Sequence, residues 1–316
     1  MLYGKYIFSC TLERDALLPP YKGSTFRGVF GLALKKVVCA LKRQECKDCL
    51  LRNKCVYSLV FETPPIEGNE KRKRIASPPH PYVIEPIDTA KKFYKKGELL
   101  DFTIILFGNM NDYLSYFIYA IEQMGKIGIG KKIESRRANF KLEKVTAENG
   151  DTVYSGHDKK IYSGKFCREL LVENLACSED DSINLVEITL KTPLRVKFQN
   201  SLEASLPFHI LTRSMLRRIS SLYTYYGDGE PSMDYRGLVS RAEGIRITAS
   251  STNWFDWSRY SNRQDRSMLM GGMTGAVTYS GKLGEFMPLI RFCEETHIGK
   301  QTTFGLGEIK ITKTLS

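Results

Sequence analysis

Four cysteines near the end of the first predicted helix have the spacing of a metal site. Cys39, Cys46, Cys49 and Cys55 form the pattern C-x6-C-x2-C-x5-C. Four thiolates this close together can surround a zinc ion tetrahedrally, and the same ligands can hold a 4Fe-4S cluster. The spacing therefore predicts a structural Zn2+ site, with the iron–sulfur cluster as the alternative. It assigns the metal no part in catalysis.

A glycine-rich segment near the C-terminus, HIGKQTTFGLG (297–307), has the composition of a phosphate-binding loop. It is not a P-loop, because five residues separate Gly299 from Gly305, Leu306 stands where a lysine is needed, and a strand is predicted to follow instead of a helix. It also lacks the third glycine of the dinucleotide fingerprint. Neither of the common nucleotide-binding motifs is present in this segment.

Two interpretations of the glycine-rich segment remain. Glycines let a polyanion approach main-chain N–H groups, and nearby cations add charge, so the segment can contact an RNA backbone. Alternatively, the glycines shape a helix end and a turn into the last strand. The RNA-contact interpretation assigns binding to Arg291, Gly299, Lys300, Gly305 and Gly307.

The chain has four histidines, and His297 is the best candidate for proton transfer. It adjoins the glycine-rich segment, and the ordinary pKa of imidazole suits acid–base catalysis near neutral pH. The alternative is a structural histidine at a helix end, favoured there by the helix dipole. We interpret His80 and His157 as surface residues and His209 as a structural one.

Aromatic and basic residues alternate in the segment Trp254–Arg266. Aromatic faces stack on unpaired bases while arginines bind phosphates, so this composition is typical of contacts with single-stranded or hairpin RNA. Core packing is the alternative explanation for several of the aromatic residues. The RNA interpretation assigns binding to Arg259 and Arg263.

Composition favours a folded, basic protein. Of 316 residues, 42% are hydrophobic and 26% charged, and the net charge is +12. Such a surface favours polyanions such as nucleic acid or anionic lipid. The sequence has no run of roughly 18 apolar residues and no signal peptide, so we expect a cytoplasmic protein with reduced cysteines and no membrane contact.

Periodicity predicts mixed helices and strands in both halves. In the first half we expect strands at 3–12, 57–62 and 99–107, a helix capped by Ser24 or Thr25, a proline-rich loop or edge strand at 77–86, and a helix at 113–124. In the second half we expect strands at 183–197, 244–249, 275–279 and 308–312, and helices at 206–223 and 286–295.

The two halves also end alike, with GKIGIGKK in the first and HIGKQTTFGLG in the second. Each follows a predicted helix and precedes a strand with basic residues. We interpret this as a degenerate repeat of two α+β units, 1–160 and 181–316, with the cysteine-rich insertion (39–55) in the first.

Several separated blocks resemble one family. They are LPPYKGSTFRGVFGLALKK followed by CKDCLLRNKCVYSLVFE, TPLRVK before the helix with Arg213, Arg217 and Arg218, and NWFDWSRYSNRQDRSMLMGGMTGAVTYSG followed by HIGKQTTFGLG. Together they cover most of the chain. The sequence resembles the CRISPR-associated endoribonucleases that process precursor CRISPR RNA, in the RAMP superfamily.

The resemblance implies two ferredoxin-like (RRM-like) domains in tandem, with a glycine-rich loop near the C-terminus. The cysteine spacing adds a cysteine-rich metal-binding insertion to the first of them. It also implies cleavage of CRISPR repeat RNA without a catalytic metal: the 2′-hydroxyl attacks the adjacent phosphate, leaving a 2′,3′-cyclic phosphate and a 5′-hydroxyl, and mature guide RNA results. This chemistry needs a base, an acid and cations.

One departure from the family pattern concerns the base. Many relatives have a histidine in or just before the first helix, but residues 19–41 contain none. Tyr21, Lys22, Arg27 and Lys35 are the nearby candidates for proton transfer or phosphate binding. The alternative function is a non-catalytic RNA-binding RAMP subunit of a CRISPR effector complex.

Overall fold

The computed structural model describes residues 1–42, 44–64, 78–86, 91–176, 182–196, 205–261 and 266–315. The chain divides into two compact units. One comprises Leu2–Glu169, and the other comprises Leu170–Ser316 together with Met1. The division falls between the predicted domains, 1–160 and 181–316.

The first unit is built on strand β1 (Leu2–Leu12). Tyr6, Phe8 and Cys10 are buried, because alternate side chains of a strand point to the same face and that face is covered. The other strands are β2 (Ala16–Leu17), β3 (Tyr82–Pro86), β4 (Phe93–Tyr94), β5 (Phe102–Phe107), β6 (Ile129–Ile133), β7 (Arg136–Ala138), β8 (Phe140–Ala147), β9 (Thr152–Ser155), β10 (Lys160–Ile161) and β11 (Arg168–Glu169). The main sheet has the order β10-β9-β8-β1-β5-β3, with β11 paired to β1; a smaller sheet has the order β4-β2-β6-β7.

Helices α1 (Gly23–Val38) and α2 (Leu114–Ile127) supply the helical part of this core. In α1 the buried Phe26, Val29 and Phe30 recur at helical spacing and form one apolar face. The predicted cap was wrong, since the helix already begins at Gly23. Its N-cap residue is Lys22, which makes no side-chain capping hydrogen bond.

The strand predicted at 57–62 was also wrong, because Ser58–Glu62 is helical. Tyr57 and Phe61, four residues apart, stack with ring centroids 5.1 Å apart, and Phe61 packs 5.7 Å from Phe30 of α1. A helical turn places both rings on one side, so packing against α1 overrides the strand preference of aromatic residues.

The second unit repeats this arrangement with its own elements. Its strands are β12 (Leu185–Leu194), β13 (Arg246–Ser250), β14 (Asn253–Ser261), β15 (Arg266–Ser280) and β16 (Ile309–Leu315). Its helices are α3 (Glu173–Ala176), α4 (Phe208–Tyr226), α5 (Tyr235–Ala242) and α6 (Met287–Thr296). The sheet has the order β13-β15-β12-β16, and β14 pairs with β15.

Both units therefore share an order of strand, helix, two strands, helix and strand: β1, α1, β3, β5, α2 and β8 in the first, and β12, α4, β13, β15, α6 and β16 in the second. In both, the first strand of this series lies between the last and the third, β8 and β5 in one unit and β16 and β15 in the other. The paired strands are antiparallel. This confirms the predicted α+β class. Among the helices of the described part, none is long and apolar enough to span a bilayer.

Candidate functional site

The N-terminal end of α1 borders a cavity of about 230 Å³ in the first unit. Its walls are Lys22, Phe26, Pro86, Lys91, Tyr94, Leu99, Leu100 and Asp101. The Lys22 side chain is only 2% exposed, and its Nζ lies 5.7 Å from the centroid of the Tyr94 ring. Lys91 Nζ lies 4.7 Å from the same centroid, so one aromatic ring contacts two ammonium groups.

Acidic groups offset part of this positive charge. Lys91 Nζ donates to Glu98 at 2.8 Å, and Asp101 lines the cavity and accepts from the Cys10 amide at 3.3 Å. Tyr21, the neighbour of Lys22, is 4% exposed. Of the residues predicted to act in catalysis, Tyr21 and Lys22 are therefore buried beneath the surface of the first unit.

Arg27 lies in a different environment, an aromatic cluster between α1 and the segment that follows the cysteines. It is half-buried, and its guanidinium carbon lies 4.9 Å from the centroid of the Phe61 ring. Next to it, Tyr82 is fully buried, and this burial raises the pKa of its hydroxyl to about 12, although the Arg27 guanidinium works in the opposite direction. Tyr82 is therefore neutral at physiological pH.

His80 packs against the same aromatic cluster, which sequence reasoning did not anticipate. Its Nδ1 lies 3.0 Å from the carbonyl oxygen of Val60, and its ring centroid lies 6.2 Å from that of Tyr82. The side chain keeps partial exposure. The sequence places His80 in a proline-rich stretch far from α1, so its position depends on β3 pairing with β5.

The glycine-rich loop 297–307 folds back on itself and on the end of β12. Ile298 N donates to Gly307 O at 2.9 Å, and Lys300 N donates to Arg195 O at 2.9 Å. These amides donate to carbonyl oxygens of the loop and of Arg195, so they do not point outward at a ligand.

Thr192 of β12 forms hydrogen bonds with the C-terminal end of the loop. Its hydroxyl donates to Gly305 O at 2.7 Å and accepts from Glu308 N at 2.9 Å. Gly305 and Gly307 are buried, which does not support their predicted contact with an RNA backbone. Gly299 and Lys300 are exposed and stay candidates for that contact.

Gly299 is required by the loop's geometry. Its φ is +81°, and a Cβ at this position would lie 2.6 Å from the carbonyl oxygen of Arg195. Only glycine meets both conditions without strain.

This part of the loop places Lys300 next to Arg195, a half-exposed residue of the predicted TPLRVK strand to which the sequence assigned no role. Arg291, also predicted to bind RNA, is exposed on α6.

His297 is fully buried at the end of α6, with Nδ1 3.1 Å from the carbonyl oxygen of Leu306. The ring has no exposed surface through which to contact a substrate. Its burial does not support the predicted role as general base and favours the structural alternative. The hydrogen bond between His297 and Leu306 therefore joins the first residues of the loop to the last.

A buried arginine fixes the point where the loop begins. Arg218 of α4 donates to the carbonyl oxygen of Thr296, the last residue of α6, through Nε at 3.1 Å and Nη2 at 2.6 Å. Cations at a helix C-terminus interact favourably with its carbonyl groups. Burial lowers the pKa of Arg218 to about 10, so the guanidinium stays charged at neutral pH.

Strand β14 presents aromatic side chains on both of its faces. Phe255 is 41% exposed and stacks on Trp257 with centroids 5.6 Å apart, whereas Trp254 donates through Nε1 to Asp256 at 2.8 Å. The exposed Phe255 ring can stack on unpaired bases. The side chain of Arg259 and the whole of Arg263 lie outside the described residues, so their predicted RNA contacts stay predictions.

The cysteines predicted to bind a metal are all half-buried and free of disulfides. Burial raises the pKa of Cys46, Lys35 opposes this shift, and the neighbouring Cys55 and Cys39 add to it. Within the described ranges, no three His, Cys, Asp or Glu side chains are arranged as a metal-binding group. The structure therefore does not support the zinc site, and the metal assignment stays a prediction.

Family models cover both units of the chain. Residues 1–166 match the model AF_1859_N, described as an N-terminal domain, and residues 188–309 match the model of the CRISPR-associated endoribonuclease Cas6. A protein of Archaeoglobus fulgidus, described only as uncharacterized, is 28% identical over 300 residues, which cover 93% of this chain and 92% of the relative.

Solved structures share the fold. A partial Cas6-RT-Cas1–Cas2 complex has a TM-score of 0.57 at 14% identity, covering 99% of this chain and 46% of that one, so this chain spans less than half its length. A Cas6 product complex has a TM-score of 0.55 at 13% identity, covering 98% and 99%. Cas6 of Thermus thermophilus has a TM-score of 0.55 at 12% identity, covering 98% of each chain. The chain belongs to the family defined by the AF_1859_N domain, and its residues 188–309 match the Cas6 endoribonuclease model.

Proposed function

We propose that this chain binds CRISPR repeat RNA and cleaves it to produce guide RNA. The observation that carries the proposal is the match of residues 188–309 to the Cas6 endoribonuclease model. The net charge of +12 supports a polyanionic substrate, and a structural neighbour is described as a Cas6 product complex. Another neighbour is described as a Cas6-RT-Cas1–Cas2 complex, so association with a larger CRISPR assembly is part of the proposal.

We further propose that both units are ferredoxin-like domains. Their shared element order, strand-helix-strand-strand-helix-strand, and the position of the first strand between the last and the third support this assignment. The second unit has in addition the antiparallel pair of β14 and β15, which extends its sheet beyond this shared element order.

RNA binding is assigned to exposed groups of the second unit. Lys300 and Arg195 meet at the glycine-rich loop, where Lys300 N donates to Arg195 O, and both side chains have exposed surface for phosphate contacts. Phe255 on β14 offers an exposed ring for base stacking.

Cleavage is assigned to the first unit, at the half-buried Arg27. The 2′-hydroxyl loses its proton and its oxygen bonds to the adjacent phosphorus, while the bond from phosphorus to the 5′-oxygen breaks and the 5′-oxygen takes up a proton. The products are a 2′,3′-cyclic phosphate and a 5′-hydroxyl. Arg27 would stabilise the negative charge that builds on the phosphorane, because a guanidinium binds two phosphate oxygens at once.

The test is single-turnover cleavage of repeat RNA in EDTA. We expect a 2′,3′-cyclic phosphate product, and we expect no cleavage when the scissile nucleotide carries a 2′-deoxyribose. Arg27→Lys should slow cleavage about 100-fold, as loss of a transition-state donor does elsewhere. The matched control is Lys36→Met, an exposed residue of the same helix, which should cleave like the wild type.

The second candidate function is a non-catalytic RNA-binding subunit. Burial of His297 and the lack of histidine in residues 19–41 favour it. Tight binding of repeat RNA without any turnover, together with co-purification in a larger complex, would replace the enzymatic proposal with this one.

A further inference from the structure

The segment GKIGIGKK (125–132) ends helix α2 and then forms most of strand β6 in the small sheet of the first unit. Gly130 has a φ of +77°, and a Cβ at this position would lie 2.6 Å from the carbonyl oxygen of Leu17. Glycine therefore lets β6 lie directly against β2, where Leu17 pairs with Lys131. The two lysines that end the segment are both exposed.

One face of this small sheet carries an exposed aromatic ring. In antiparallel strands, directly paired residues have their side chains on the same face. Phe93 of β4 pairs with Leu17 of β2, which in turn pairs with Lys131 of β6. The neighbouring pair, Ala16 and Tyr94, points to the opposite face and is buried. Phe93 is 48% exposed, so its ring lies on the outer face of the sheet together with the Lys131 side chain.

Further positive charge extends this outer face along β6 and β7. Ile133, two residues after Lys131, lies on the same face and pairs with Arg136. All residues from 131 to 136 are exposed, and the segment 131–137 contains four cations and one carboxylate, that of Glu134. Within the described part of the first unit, the ion pairs involve neither Lys131 nor Arg136. Both side chains therefore present their charge to solvent.

An aromatic ring beside cations fits an unpaired RNA strand. Stacking on a protein ring needs a base whose face is free, and cations bind the phosphates of any sequence. Duplex RNA is recognised mainly through its shape, its phosphates and its 2′-hydroxyls, so an exposed ring adds little to its binding. Insertion into an anionic membrane needs a broad apolar face, whereas Phe93 and Ile133 stand among exposed cations.

We infer that the outer face of β4, β2, β6 and β7 binds an unpaired segment of the repeat RNA, an inference that rests on the function proposed above. The Phe93 ring stacks on one base, while Lys131 and Arg136 contact phosphates of the adjoining nucleotides. Phe93 and Lys131 lie two strands apart, which places their backbones about 10 Å from each other. The long lysine side chain shortens this span, so one extended nucleotide reaches both groups.

The experiment measures binding of the full chain to a fluorescein-labelled oligouridine, which forms no stable duplex. Phe93→Ala should weaken this binding about 5-fold to 150-fold, the range for loss of one stacked base, and should leave the slope of log affinity against log salt unchanged. Phe93→Trp keeps an aromatic ring and should bind within about two-fold of the wild type. Lys131→Ala and Arg136→Ala should each reduce the size of that slope by about 0.7, the value for one phosphate of a single strand.

Matched controls and a direct readout accompany these variants. Tyr119→Ala removes a ring of α2 that is 51% exposed, and Lys36→Ala removes an exposed ammonium group of α1. Neither residue belongs to the outer face, so both variants should bind oligouridine like the wild type. In the wild type, 4-thiouridine placed in the oligonucleotide should cross-link to the peptide that contains Phe93, as identified by mass spectrometry.

The outcomes separate this inference from the proposed cleavage. If Phe93→Ala and Phe93→Trp bind oligouridine equally well, the ring stacks on no base and the inference is overturned, whether or not the wild type cleaves repeat RNA. If the variants keep their RNA affinity but lose binding to phosphatidylglycerol vesicles, the face binds lipid and the inference is again overturned. If the wild type binds RNA through Phe93 without cleaving it, the proposed cleavage fails while the inference stands.

Discussion

Thr192→Val should loosen the glycine-rich loop with little change in side-chain volume. Thr192 is 5% exposed, and its hydroxyl both donates to Gly305 O and accepts from Glu308 N. Valine removes both hydrogen bonds and leaves a carbonyl and an amide without that partner. Each such group costs roughly 1 to 3 kcal/mol, so we expect the free energy of unfolding to fall by about 2 to 6 kcal/mol. Thr192→Ser keeps the hydroxyl and loses one methyl group, for which we expect about 1 kcal/mol.

Urea unfolding followed by tryptophan fluorescence measures this difference. The chain has two tryptophans, Trp254 and Trp257, and both belong to β14, so the signal reports on the second unit. Thr189→Val serves as the control, since this residue lies on the same strand and its hydroxyl bonds to the Thr312 hydroxyl in an exposed position. If Thr192→Val and Thr192→Ser are equally stable, the hydrogen bonds of the Thr192 hydroxyl do not stabilise the loop and our explanation is wrong.

Three further predictions concern metal, RNA and pH. If the cysteines bind a metal, elemental analysis should find about one zinc per chain, reduced in Cys46→Ser; a metal-free wild type would exclude the site. Lys300→Ala and Arg195→Ala should each weaken RNA binding and reduce the slope of log affinity against log salt by about one, and an unchanged slope would place the phosphates elsewhere. The pKa of Tyr82 rises from 10.0 to about 12 on folding, so its contribution to stability is complete below pH 10 and is lost as the pH rises through 12. Because Tyr82→Phe removes the ionising hydroxyl, the free energy of unfolding of this variant should fall less than that of the wild type over this pH interval. Equal slopes of unfolding free energy against pH in the two proteins would contradict this explanation.

The regular elements follow from local patterns. Alternation over residues 3–12 and helical spacing from Phe26 to Leu34 are local signals, because strand and helix periods of 2 and 3.6 residues directly decide which side chains are buried. The α+β class could be predicted for this reason. The helical segment Ser58–Glu62 could not, since its conformation depends on packing of Phe61 against Phe30, about thirty residues earlier in the chain.

The candidate site was harder to predict than the fold. Chemical type and a place beside the glycine-rich segment pointed to His297, but its burial depends on how the loop 297–307 folds back on Pro193 and Arg195. The proline-rich stretch around His80 indicated a surface residue, and its packing beside Tyr82 depends on the pairing of β3 with β5. Proximity between distant segments is created by the sheet, so a single sequence carries no direct signal for it.

The edges of the first unit's main sheet bear on how the protein behaves at high concentration. One edge is β3, five residues long and ending in Pro86, and the other is β10, only two residues long. Short edge strands, and a proline that has no N–H to donate, offer little template for pairing with a second chain. The two edges of this sheet are thereby protected from edge-to-edge aggregation with other copies of the chain.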